Sequence, residues 1–183
     1  MKPIRLAVIT VSDRCSRGVT VDTTGPALLR LAEAELAAQV TTFICVPDEV
    51  PVIARQLRDL ADGDDAPDLI LTAGGTGLAP RDVTPEATLE VLERRHSGLM
   101  ELIRRRCYEK TPRAYLSRGE AGTRGRTLIL NLPGSERGAT ESLEALLDIL
   151  PHAIETLRGD VQDDGREGAA PTTGKVVRHE DAR

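Results

Sequence analysis

The sequence predicts a three-layer α/β domain with a mostly parallel central sheet. Three observations point there. Strand-like apolar runs alternate with amphipathic helical segments along the chain. The apolar residues are aliphatic, with one Phe, two Tyr and no Trp, which suits a sheet covered by helices on both faces better than an aromatic-rich sandwich. The polar, glycine-containing segments follow the strand-like runs, where an open α/β sheet binds its ligands.

Each element has a local reason. Ile4 to Thr10 is a short run with β-branched residues and reads as a buried first strand. A polar loop from Ser12 to Gly25 follows, and Pro26 opens a helix whose apolar face is Leu28, Leu29, Leu31, Ala32, Leu36 and Ala37. Val40 to Val46 reads as the second strand, with a turn at Pro47, Asp48 and Glu49. Val52, Ile53, Leu57 and Leu60 mark the next helix, ended by Gly63-Asp64-Asp65. Asp68 to Thr72 is the third strand, and GGTGLAPRD follows it as a loop. Thr84 is the expected N-cap of a helix from Pro85 to Arg94, and a further helix covers Gly98 to Tyr108. Thr111 to Gly125 admits a short helix and a loop. Thr127 to Leu132 is the fourth strand, turned by Pro133-Gly134-Ser135. A long amphipathic helix is expected from Thr140, kinked or divided at Pro151. Residues 1–159 form one domain on this reading, and 160–183, poor in large apolar residues, form a mobile tail.

Charge and composition exclude several classes. The net charge of −5 gives no electrostatic reason for nucleic-acid binding, and Arg104, Arg105 and Arg106 read as a solvated helix face. Cys15, Cys45 and Cys107 are far apart and odd in number, and His96, His152 and His179 lack ligand spacing. Neither a disulfide framework nor a zinc site is expected. No run is long enough for a membrane span or a signal peptide, so a cytoplasmic location is expected.

The strand-end loops hold the chemistry. Gly74-Gly75-Thr76-Gly77 directly after a strand lets backbone N–H groups approach an anion, and Thr76 adds a hydroxyl; a tight turn needing positive φ is the other reading. It is neither a Walker loop nor a dinucleotide fingerprint. Asp48 and Asp82, with no lysine or histidine base beside them, suit Mg²⁺ and a polyphosphate if strands two and three are near neighbours. Alternatively Asp48 is a turn residue and Asp82 a helix-start residue. Pro133, Gly134 and Ser135 offer amides and a hydroxyl to a second phosphate, and Ser12 and Asp13 offer similar groups or cap their turn. Asn131 reads a base or sugar, or satisfies neighbouring backbone.

VSDR, PDE, LILTAGGTGLAPRDVTPEAT and LILNLPGS, in this order, resemble the molybdopterin-binding domain family. That family includes the small bacterial molybdopterin adenylyltransferases and the corresponding domain of gephyrin. The similarity runs from about Ile4 to Gly159. It implies a molybdopterin-binding α/β fold, usually trimeric. It also implies adenylate transfer from MgATP to the terminal phosphate of molybdopterin, with release of pyrophosphate. The product then passes to a molybdate-inserting enzyme. By motif matching, Asp48 and Asp82 are the family's acidic pair. The compact LEALLDILPHAIETLRG after PGS resembles the shorter bacterial subgroup. The alternative function is a non-catalytic molybdopterin carrier serving the same partner.

Overall fold

The computed structural model describes residues 2–159; the expected tail from 160 to 183 lies outside the described residues. Their chain order is β1 (Ile4–Val11), α1 (Asp13–Ser16), α2 (Thr24–Leu36), β2 (Ala38–Val46), α3 (Val50–Ala61), β3 (Leu69–Ala73), α4 (Thr84–Leu89), β4 (Arg94–Arg95), α5 (Ser97–Tyr108), a 3₁₀ turn (Pro112–Leu116), β5 (Ala121–Arg124), β6 (Thr127–Leu132), α6 (Glu136–Glu144) and α7 (Leu150–Arg158).

The six strands form one sheet in the order β2-β1-β3-β6-β5-β4. β2, β1, β3 and β6 are parallel, and β5 and β4 close one edge antiparallel. Side chains alternate between two cores, as the pleat requires. Leu6, Val8, Leu69, Leu71, Leu128 and Leu130 pack under α2, α5, α6 and α7. Ala7, Ile9, Ile70 and Ile129 pack against Ile53, Ala54 and Leu57 of α3 and Ala87 of α4. Burial of both faces explains why these strands are nearly continuous aliphatic runs.

Several boundaries differ from the sequence expectations, each for a physical reason. α2 starts at Thr24, with Pro26 inside its first turn, where a missing N–H costs no helical hydrogen bond. Its side-chain cap comes from Asp22, whose Oδ1 accepts the N–H groups of Thr24 and Gly25, each at 3.0 Å. Thr84 is the first residue of α4 rather than its N-cap; its hydroxyl donates to the Gly74 carbonyl at 2.8 Å. The helix expected to reach Arg94 ends at Leu89, because Arg94 and Arg95 pair with β5. The long last helix is two helices, and its first part starts at Glu136 because Ser135 caps it, accepting from Gly138 N–H at 3.2 Å. Pro151 then occupies the first turn of α7.

β2 and β3 are not neighbours; β1 lies between them. The chain leaves β1 toward β2 on one side, and β3 continues the sheet on the other. The carboxyl ends of β1 and β3 therefore flank a topological switch point, the position where open α/β sheets form a ligand crevice.

Candidate functional site at the carboxyl ends of the parallel strands

Two adjoining cavities open at this end of the sheet. The smaller, about 340 Å³, is lined by Ser12, Asp22, Asp48, Gly74, Gly75, Asp82 and Gly134 among others. The larger, about 620 Å³, runs from Gly75, Thr76, Gly77 and Asp82 past Pro133, Gly134 and Ser135 to Lys110, Arg113, Ser117 and Arg137. Gly75, Asp82 and Gly134 line both, so the GGTG loop is the wall between them.

The glycines of that wall are required by close approach. Gly74 has φ 116°, and a Cβ there would land on the Val11 carbonyl oxygen. Gly75 has φ 61°, and its Cβ would strike the Thr84 hydroxyl and approach Asp48 Oδ1. Gly74 N–H donates to the Leu132 carbonyl at 3.1 Å, which ties the loop to the end of β6. Among the described residues, no protein acceptor takes the amides of Gly75, Thr76 or Gly77. The tight-turn reading of the motif holds, because the turn needs positive φ at Gly74 and Gly75.

The acidic residues are placed by backbone hydrogen bonds. Asp13 N–H donates to Asp48 Oδ2 at 2.7 Å, and Asp48 N–H donates to Asp13 Oδ1 at 3.3 Å. This reciprocal pair carries Asp48 across the end of β1. Asp82 Oδ2 accepts the Ala79 N–H at 2.8 Å. Asp48 Oδ1 and Asp82 Oδ1 have no protein donor among the described residues, whereas both Asp13 oxygens accept hydrogen bonds. Burial raises the Asp48 carboxyl above its ordinary value, against the lowering effect of the Asp13 amide; the charges of Asp13 and Asp82 add to the rise. Asp13 is lowered, chiefly by Arg81, whose Nε and Nη2 donate to Asp13 Oδ2 at 3.0 and 2.6 Å.

A divalent cation between Asp48 and Asp82 fits this arrangement. Asp48 and Asp82 line one crevice, and positive charge there would relieve the desolvation penalty on half-buried Asp48. No group of three or more His, Cys, Asp or Glu among the described residues could hold a metal. Magnesium commonly takes one or two carboxylates together with water and phosphate oxygens, so Asp48 and Asp82 are the residues that would hold it.

Of the other expected site residues, Ser12 caps α1, accepting the Cys15 N–H at 3.2 Å. The Gly134 carbonyl accepts from Thr24 Oγ1 at 2.9 Å, which pins the β6 turn to α2. Asn131 is different. It has no exposed surface. Its Nδ2 donates to the hydroxyls of Thr72 and Thr88, both at 2.9 Å, and its Oδ1 accepts the Glu120 N–H at 3.1 Å. The side chain has no surface left to read a base or sugar; it joins β3, α4 and the residue before β5 from inside. Asn131→Ala should cost about 2–4 kcal/mol, because it strands a buried N–H and removes a fully used network. Urea unfolding measures this, and an unchanged midpoint would refute the assignment.

Sequence reading missed Asp22, Arg81, Lys110, Arg113, Ser117, Arg118 and Arg137. Asp22 carried a signal: an Asp closely preceding TGP is a helix-start pattern. Lys110, Arg113 and Arg137 carried none, since they come together only when the end of α5, the 3₁₀ turn and α6 meet; Arg81 and Arg118 are placed by their partners Asp13 and Glu86.

The architecture and the crevice define an open-sheet α/β protein with its candidate site at the switch point. Residues 7–152 match the family described as "Probable molybdopterin binding domain", and the chain belongs to that family. It is 42% identical over 161 residues to molybdenum cofactor synthesis protein cinnamon of Drosophila melanogaster, covering 88% of this chain but 27% of that protein. The chain thus spans about a quarter of that relative's length. It is 35% identical to the molybdopterin adenylyltransferase of Escherichia coli K12, covering 98% of both. Among solved structures, the molybdopterin biosynthesis enzyme MoaB of Thermus thermophilus superposes with TM-score 0.80 at 54% identity, covering 85% of this chain and 97% of that one.

Proposed function

We propose that this protein is a molybdopterin adenylyltransferase of molybdenum cofactor biosynthesis. It transfers adenylate from MgATP to the terminal phosphate of molybdopterin. The observation that carries the reading is the meeting of Asp48, Asp82 and the outward GGTG amides at the wall between two cavities. One cavity is acidic and one is edged with Lys110, Arg113 and Arg137.

An oxygen of the molybdopterin phosphate attacks the α-phosphorus of ATP in line. The new P–O bond forms as the bond to the bridging oxygen breaks, and pyrophosphate leaves. Such a transfer depends on positioning and electrostatics rather than on a protein nucleophile. The amides of Gly75, Thr76 and Gly77 hold phosphate oxygens at the wall, with the Thr76 hydroxyl as a further donor. Gly134 and Ser135 offer donors to the second phosphate at the start of α6, where the helix dipole favours an anion. Asp48 and Asp82 would hold Mg²⁺ through their unoccupied oxygens. When bound, the ion neutralises charge developing on the phosphates. Incubation with molybdopterin and MgATP should yield adenylylated molybdopterin and pyrophosphate; binding of molybdopterin without ATP turnover would favour the carrier reading.

The catalytic unit is residues 1–159, acting in the cytoplasm and supplying a molybdate-inserting enzyme. No helix among the described residues is long and apolar enough to cross a membrane. The protein is a homotrimer on this reading, and light scattering should give three times 19.7 kDa. A monomer at micromolar concentration would contradict it.

A further inference from the structure

A loop that turns its amides outward toward an anion turns carbonyls inward, and inward carbonyls need donors. In the 74–82 loop two residues supply nearly all of them. Thr84 takes the first two, its hydroxyl donating to Gly74 O at 2.8 Å and its N–H to Gly75 O at 3.0 Å. Arg118 takes three more. Its N–H donates to Thr76 O at 2.8 Å, its Nε to Gly77 O at 2.7 Å and its Nη2 to Asp82 O at 2.5 Å. Its Nη1 is paired with the Glu86 carboxylate of α4, and each partner stabilises the other's charge: the Arg118 pKa is raised and that of Glu86 lowered. Arg118 therefore grips both ends of the stretch between the GGTG turn and Asp82. Its neighbour Ser117 lines the larger cavity.

We propose that Arg118 is a positioning residue for nucleotide polyphosphate binding: it holds the carbonyls of Thr76, Gly77 and Asp82 on the inner side, so that the loop amides and the Asp82 carboxylate face the crevice. The proposal rests on the reading of Gly74–Gly77 as a phosphate cradle. Arg118 itself touches no reacting atom. A planar guanidinium reaches two carbonyls and a carboxylate at once, and a lysine ammonium cannot span that fork.

The test uses the full chain with Arg118→Gln, Arg118→Lys and Glu86→Gln. MgATP binding is measured by calorimetry, and local order by hydrogen exchange of the peptide covering 75–82. Arg118→Gln should weaken MgATP binding about tenfold or more and speed exchange in the loop by a similar factor, with exchange in β1, β3 and β6 unchanged. Arg118→Lys should fall between it and wild type. Glu86→Gln should change both readouts less than about threefold, because the carbonyl contacts remain and an exposed ion pair contributes little. In turnover, Arg118→Gln should raise KM for ATP more than it lowers kcat.

Wild-type binding and wild-type loop exchange in Arg118→Gln would overturn the proposal. So would exchange that accelerates throughout the sheet, which marks a general structural role, or a Glu86→Gln variant as impaired as Arg118→Gln. A wild-type protein that binds no MgATP would instead overturn the cradle reading. The exchange comparison would still show whether Arg118 orders the loop.

Discussion

Asp82→Asn and Asp48→Asn should each slow adenylate transfer by roughly 10²- to 10³-fold, the scale of several kcal/mol lost when charge stabilisation at a phosphoryl centre is removed. Both variants should fold. At position 82 the amide oxygen can still accept from Ala79 N–H, which preserves the present 2.8 Å contact. At position 48 the charge is already disfavoured by burial, so its removal should leave stability at neutral pH unchanged or slightly higher. The sign follows from linkage: a carboxyl whose pKa is raised on folding stabilises the fold less once pH exceeds that value. The double variant should lose less than the product of the single losses if both oxygens hold one ion. Asp13→Asn should cost less, since its N–H still reaches Asp48, an amide oxygen can still accept the Asp48 N–H, and what weakens is the ion pairing with Arg81 and Arg17. Molybdopterin binding should persist in all of them. Wild-type rates in both single variants would remove the metal assignment and favour a carrier.

Gly74→Ala should be the most damaging single methyl addition in the crevice, costing about 3–5 kcal/mol of stability as backbone strain and overpacking combine. Its φ of 116° is hostile to any side chain, and the new Cβ would meet the Val11 carbonyl. Neither side can yield, because Val11 ends β1, in the middle of the sheet, while Gly74 N–H is tied to Leu132 O. Gly18→Ala separates the two contributions. Gly18 also has positive φ, 70°, but nothing lies within 4 Å of its Cβ, so it should cost only about 1–2 kcal/mol. Thermal unfolding of both variants gives the comparison. Equal shifts would mean that the contact with β1 contributes nothing.

The sequence by itself determined the sheet's centre. β1, β3 and β6 were legible to within about one residue, because a strand buried on both faces must be aliphatic along its whole length, and β2, an edge strand with alternating exposure, was legible to within about two. It also determined the strand-end loops, because glycines and carboxylates directly after such strands have no place in a core. The resemblance to a known family then rested on residues inside those loops.

Only the tertiary structure decided the rest. β4 and β5 read as Arg-Arg and Ala-Gly-Thr-Arg, with no apolar alternation. They are strands because β6 offers an open edge and because Gly122 lets the Arg94 carbonyl come close. Asn131 could be placed on either side of the site until Thr72, Thr88 and the Glu120 amide surrounded it. Asp48 and Asp82 share a crevice across an intervening strand, which spacing along the chain cannot express. Arg118 lies 36 residues from the Asp82 carbonyl that it holds. Local pattern records what a residue must be buried against, whereas long-range donors and acceptors are matched only when the chain closes.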